Sequence, residues 1–137
     1  DTERLESGLI SYGADMRWQT HRANPFEMGF GPWVNLDGPH DFVGRVALER
    51  IAAEPITRTR VGLILDGTPS PAGHPVLLTH DGVQVGFVSE TAHSKLLDKT
   101  IGVGLISAEL AATTDPLYVE LPTGSTAATL TAIPFTE

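Results

Sequence analysis

The chain has 137 residues, 41% of them hydrophobic, with a formal net charge of -8 and no cysteine. That length buries one ordinary core in one or two compact units, and the lack of cysteine excludes a disulfide framework, a thiolate metal site and a cysteine nucleophile. The acidic balance argues against nucleic acid, which requires clustered Lys and Arg, and against a membrane surface; with no apolar run of the ~20 residues a bilayer span needs and no basic-then-apolar leader, the expectation is a soluble, cytoplasmic protein.

In chain order, residues 1–7 read as a helix with no preceding element to pack on. Residues 4–16 gather Arg4, Glu6, Gly8, Tyr12, Gly13 and Asp15 around the apolar pair Leu9 and Ile10, the composition of a ligand-facing turn. The glycines open backbone conformations closed to other residues, arginine offers a planar fork of donors, and tyrosine offers a flat face with a polar tip. The same residues also suit a plain helix end closed by Gly8 with surface ion pairs. Residues 18–39 are mostly irregular, with Phe26, Phe30 and Trp33 as expected core anchors.

Asp41 is the expected N-cap of a helix running through Phe42, Val46, Ala47, Leu48 and Ile51, with Arg45, Glu49 and Arg50 on its polar face and Pro55 as its stop. The chain divides near Pro55, where the period changes from helical to alternating. Residues 58–65, 75–79, 83–90, 100–107, 117–121 and 127–133 read as six strands, with an Asp81-Gly82 hairpin turn and a second turn at 122–125. Six short strands in so few residues point to a small antiparallel barrel or sandwich.

Hydrolase and kinase chemistry have no footing, since no Ser-His-Asp order, paired-carboxylate spacing or Gly-rich phosphate loop stands out. His21, His40, His74, His80 and His93 lack ligand-like spacing and read as exposed loop residues, so no metal site is expected.

Arg4 to Met16, then Asn24-Pro25-Phe26-Glu27-Met28-Gly29, then Asp41-Phe42-Val43-Gly44-Arg45-Val46-Ala47-Leu48, then Arg60-Val61-Gly62-Leu63, resemble in order and distance the second half of the glycine-cleavage T-protein family. That family comprises folate-dependent aminomethyltransferases and the related tetrahydrofolate-dependent demethylases; the wording of residues 11–16 and 24–29 is closer to the demethylase branch. The resemblance implies an α+β fold: residues 1–54 as the C-terminal piece of a folate-binding α/β core, incomplete as a domain, followed over 55–137 by a small antiparallel six-stranded β-barrel.

The resemblance also implies tetrahydrofolate as cofactor and a small methylated substrate. Arg4 and Tyr12 match positions lining the pterin and substrate cavity, and Trp18 falls where some demethylases contact substrate. Glu27 is either a pocket wall or a structural acceptor, and Glu6 a buried partner. His93 lies near a loop that the family brings to the cavity mouth, although Lys95 replaces the usual proline there. The family's functional aspartate lies upstream of the matched region, so no catalytic residue is assigned here. The implied partner is an N-terminal folate-domain polypeptide, either a separate subunit or a missing part of the same chain. Without it, Leu5, Leu9, Ile10, Phe26, Phe30 and Trp33 should form an exposed patch that seeks a partner. The competing reading is a non-catalytic accessory or assembly subunit that completes a partner without touching its ligand.

Overall fold

Alternation after Pro55 produces six strands: β1 (Arg58–Leu65), β2 (Val76–His80), β3 (Val83–Ser94), β4 (Lys99–Ser107), β5 (Leu117–Leu121) and β6 (Gly124–Thr131). In the computed structural model, which describes residues 2–70 and 75–135, they close into a barrel in the order β1-β4-β3-β2-β5-β6, every pairing antiparallel. His74 lies outside the described residues. The expected Asp81-Gly82 turn joins β2 to β3 with positive φ at both residues. Two strands differ from expectation by more than one residue. β3 continues to Ser94 because its end keeps pairing with β4, and β6 starts at Gly124, directly out of a tight turn that pairs Leu121 with Gly124.

The period-two pattern sorts side chains to two faces. Inside the barrel, Leu63, Leu65, Leu78, Val88, Ile106, Leu117 and Val119 form one core. Outside it, Ile101 and Val103 of β4 form a second core with Leu5, which comes from helix α1 (Thr2–Glu6). The N-terminal helix therefore does have something to pack on, the outer face of β3 and β4, and Leu5 is buried where the sequence suggested exposure. Burial of one such leucine stabilises by about 1.5–3 kcal/mol. The tail after β6 completes this outer core with Ile133 and Phe135, and Phe135 N–H donates to Glu6 O at 2.9 Å.

A β-bulge decides which face the end of β3 presents. Val88 pairs with Gly104 and points inward, but Glu90 pairs with Val103, leaving Ser89 as the extra residue, its hydroxyl donating to Val103 O. Regular alternation would have buried the Glu90 carboxylate in the barrel; the bulge turns it to the outer face, toward α1.

The second helix, α2, spans Arg45–Ala53 rather than starting after Asp41. Gly44, in the left-handed region at φ 93°, breaks the backbone before it and occupies the N-cap. Arg45 fixes the start instead, with Nη1 donating to Gly38 O and His40 O and Nη2 to Leu36 O. No residue of α2 is buried, and Val46 is 61% exposed. Trp33, expected as a core anchor, is 77% exposed; Phe26 and Phe30 are half-buried, and Met28 anchors the irregular segment. No helix among the described residues is long and apolar enough to cross a membrane.

Candidate functional site

The ligand-like stretch folds as a helix end followed by a tight loop. Gly8 closes α1 at φ 72°, its N–H donating to Leu5 O and that of Leu9 to Arg4 O. A Cβ at Gly8 would also sit 2.2 Å from Ile133 Cγ2, so glycine is required here for space as well as conformation. In the loop, Ser11 N–H donates to Asp15 Oδ2 at 2.7 Å and Asp15 N–H to Ser11 O at 3.0 Å, which leaves Tyr12 at the tip, 70% exposed.

Arg4 is the hub. Its Nη1 donates to Leu9 O at 2.6 Å and to Asp15 Oδ2 at 2.8 Å, and its Nη2 pairs with Glu90 Oε2. The guanidinium thus ties α1, the 11–16 loop and β3 together. Asp15 is only 3% exposed, and its Oδ1 has no partner among the described residues. Arg60 of β1 stands close enough to both groups to feel them. Burial pushes its guanidinium below the ordinary arginine range; Asp15 opposes that shift and Arg4 adds to it. Arg60 Nη2 donates to Gly8 O at 3.1 Å, while its Nε is buried without a partner among the described residues. Beside this cluster, Leu9, Met28, Phe30, Trp33, Arg60 and Ile133 line an open groove of about 820 Å³.

Glu27 is an acceptor for the scaffold. Its Oε2 accepts from Asn24 N–H at 2.9 Å, and both carboxylate oxygens take Arg58 in bidentate fashion at 2.9 and 3.0 Å. Asn24 Oδ1 returns a bond from Glu27 N–H, and Glu27 O accepts from Arg60 N–H. The Asn-Pro-Phe-Glu turn is thereby fastened to the start of β1. Arg58→Ala leaves the buried Glu27 carboxylate without its cation and is expected to cost about 3 kcal/mol, whereas Glu27→Ala leaves a partly exposed Arg58 that water can solvate and should cost about 1–2 kcal/mol. Urea denaturation of the two variants checks that order.

Trp18 is 63% exposed, with the Arg22 guanidinium stacked 4.1 Å over its ring. It is not in the Arg4 cluster. His21, expected to be an exposed loop residue, is buried: Nε2 donates to Ala14 O at 2.9 Å, Nδ1 accepts from Thr20 Oγ1, and the ring meets the edge of Phe87. Because Ala14 O can only accept, the proton belongs on Nε2. His80 lies near Asp81 and Asp115, while His40 and His93 are exposed. Glu6 accepts from the hydroxyl of fully buried Ser94, which also caps Leu97 N–H. No group of three His, Cys, Asp or Glu among the described residues could hold a metal ion.

Sequence reasoning assigned no site role to Asp15, Glu90 or Arg60. Asp15 carried a faint signal, an acid four residues after Ser11 in a glycine-bounded loop. Glu90 carried none, because its direction depends on the bulge.

A family model, the glycine cleavage T-protein C-terminal barrel domain, matches residues 58–137. An aminomethyltransferase of Synechococcus sp. (strain CC9902) is 39% identical over 135 residues, covering 98% of this chain and 36% of that protein. One from Parasynechococcus marenigrum (strain WH8102) is 40% identical over 121 residues, covering 88% of this chain and 32% of that protein. The crystal structure of the glycine cleavage system aminomethyltransferase T from Bartonella henselae superposes with a TM-score of 0.79 at 26% identity, over 98% of this chain and 37% of that one. The chain spans about a third of the length of the curated relatives it matches.

Proposed function

The chain belongs to the glycine cleavage T-protein family by its C-terminal barrel domain, and from that premise we propose that it is the C-terminal portion or subunit of a tetrahydrofolate-dependent one-carbon transferase. The observation that carries this reading is the continuity of the match: likeness to aminomethyltransferases extends through the Arg4 cluster as well as the barrel. In this reading residues 1–54 close a folate-binding core whose remainder, with the acid-base group, belongs to an N-terminal folate-domain polypeptide.

One feature of this chain fits tetrahydrofolate: Tyr12 presents an exposed flat ring for stacking. When bound, tetrahydrofolate supplies the nitrogen that receives the one-carbon unit. This chain's residues align and shield: the paired Arg4 holds the loop that carries Tyr12, and the barrel braces that loop against β3. Alignment of two reactants in a dry cavity contributes several kcal/mol to lowering a barrier. Trp18 is the proposed substrate contact, an exposed aromatic that a donor's methyl-bearing group can meet.

The relatives are named aminomethyltransferases, while the wording of residues 11–16 favours a demethylase. Both chemistries deliver a one-carbon unit to tetrahydrofolate, so assays with an aminomethyl donor and with O-, S- and N-methyl donors separate them. Tyr12→Ala in the assembled enzyme is expected to weaken tetrahydrofolate binding at least about fivefold, the scale of a lost stacking contact, with the melting temperature of the chain unchanged. Unaltered folate binding would remove Tyr12 from the site and favour the accessory-subunit reading.

A further inference from the structure

Arg4 anchors the base of the loop that carries Tyr12, and its donors are already committed. Nη1 is filled by Leu9 O and Asp15 Oδ2, which leaves the Nε and Nη2 edge as the only place for a bidentate carboxylate. Glu90 Oε2 sits on Nη2. An arriving carboxylate would have to displace Glu90 or share the guanidinium with it, and two carboxylates in one place repel.

The wider balance points the same way. Arg4 and Arg60 carry two positive charges, and Asp15 and Glu90 carry two negative ones, so the cluster has no surplus to attract an anion. Glu90 is there by construction: only the bulge at Ser89 brings it out of the barrel and onto α1, and its side chain is mostly shielded from water. A second carboxylate on the same guanidinium changes what else can bind there.

We infer that Glu90 is a specificity-determining residue that occludes Arg4 from carboxylates, so that the one-carbon donor presents a neutral or cationic group at this point of the site. The inference rests on the proposed function for its meaning as substrate choice; the occlusion itself is a property of this chain alone and is tested on it.

The experiment titrates the chain with acetate while following the Arg4 Nε–Hε resonance by NMR, assigned by its loss in Arg4→Lys, with chloride as the ionic-strength control. In the unaltered chain, acetate should move this signal no more than chloride does. In Glu90→Gln, which keeps the side chain's shape, acetate should produce a saturable shift with affinity at least about tenfold higher, the scale of a charge-assisted hydrogen bond. Glu90→Asp, which keeps the charge, should gain nothing. Equal responses in the unaltered and Gln chains would overturn the inference, as would saturable acetate binding to the unaltered chain. Glu90→Ser gives a second neutral variant, and loss of folding in both neutral variants would make Glu90 a structural tie, also overturning it. Because no folate is used, failure here is distinct from failure of the Tyr12 test. In the assembled enzyme, Glu90→Gln should lower KM for carboxylate-bearing donors relative to uncharged ones, a shift in preference that a purely structural role would not give.

Discussion

Arg4→Ala is expected to destabilise the chain by about 3 kcal/mol and, in the assembled enzyme, to weaken folate binding at least about fivefold by releasing the loop that carries Tyr12. The stability loss comes from what is left behind. Asp15 is almost wholly buried and would keep one hydrogen bond, from Ser11 N–H, while its charge loses its cation and Leu9 O loses its donor. Removing one partner of a buried pair costs far more than the pair contributes. A surface ion pair would cost less than about 1 kcal/mol, so chemical denaturation separates the two accounts. Asp15→Asn should be milder, because the amide oxygen can still accept from Ser11 and no buried charge remains.

Gly104→Ala is expected to abolish cooperative folding. A Cβ there would lie 2.1 Å from Phe87 O, and Gly86 faces the same problem at 2.0 Å from Leu105 O. Both obstacles are main-chain atoms of paired strands β3 and β4, which cannot rotate aside, and the cost should exceed about 4 kcal/mol. Gly102→Ala is the internal comparison. Its nearest neighbours are methyl groups of Leu65, Thr91 and Val88 at 3.2 Å, which can shift by a few tenths of an ångström. Circular dichroism melts should show a cooperative transition for Gly102→Ala and none for Gly104→Ala.

The barrel was legible because its signals are local. Period-two alternation located all six strands, and Asp81-Gly82 located the first hairpin, since positive φ at both residues is written in their chemistry. The family resemblance carried on the ordered motifs agrees with the barrel-domain match. Features that depend on distant contacts were not legible. Leu5 looked unpartnered because Ile101 and Val103, which cover it, are far along the chain. The helix start was misplaced because Asp41 is a good cap by composition, while the residue that sets the boundary is Gly44, three positions later.

The candidate site shows the same division. Arg4 and Tyr12 stood out by residue type, and the structure places Arg4 in an ion-pair knot and Tyr12 at an exposed loop tip. What binds Arg4 was hidden: Asp15 comes from within its own loop, but Glu90 arrives across the sequence and only through a bulge. His21 was read as an exposed loop residue because the histidines lack ligand-like spacing, whereas its ring is buried against Phe87 of β3.

The central claim is that this chain completes a folate site with an N-terminal folate-domain polypeptide. Native mass spectrometry of the chain mixed with a polypeptide matching the upstream two-thirds of its relatives, with and without tetrahydrofolate, tests it most directly. The account predicts a one-to-one complex that carries one tetrahydrofolate, with retention of the folate reduced by Tyr12→Ala. A chain that stays alone, or an N-terminal polypeptide whose folate retention is the same with and without this chain, would contradict it.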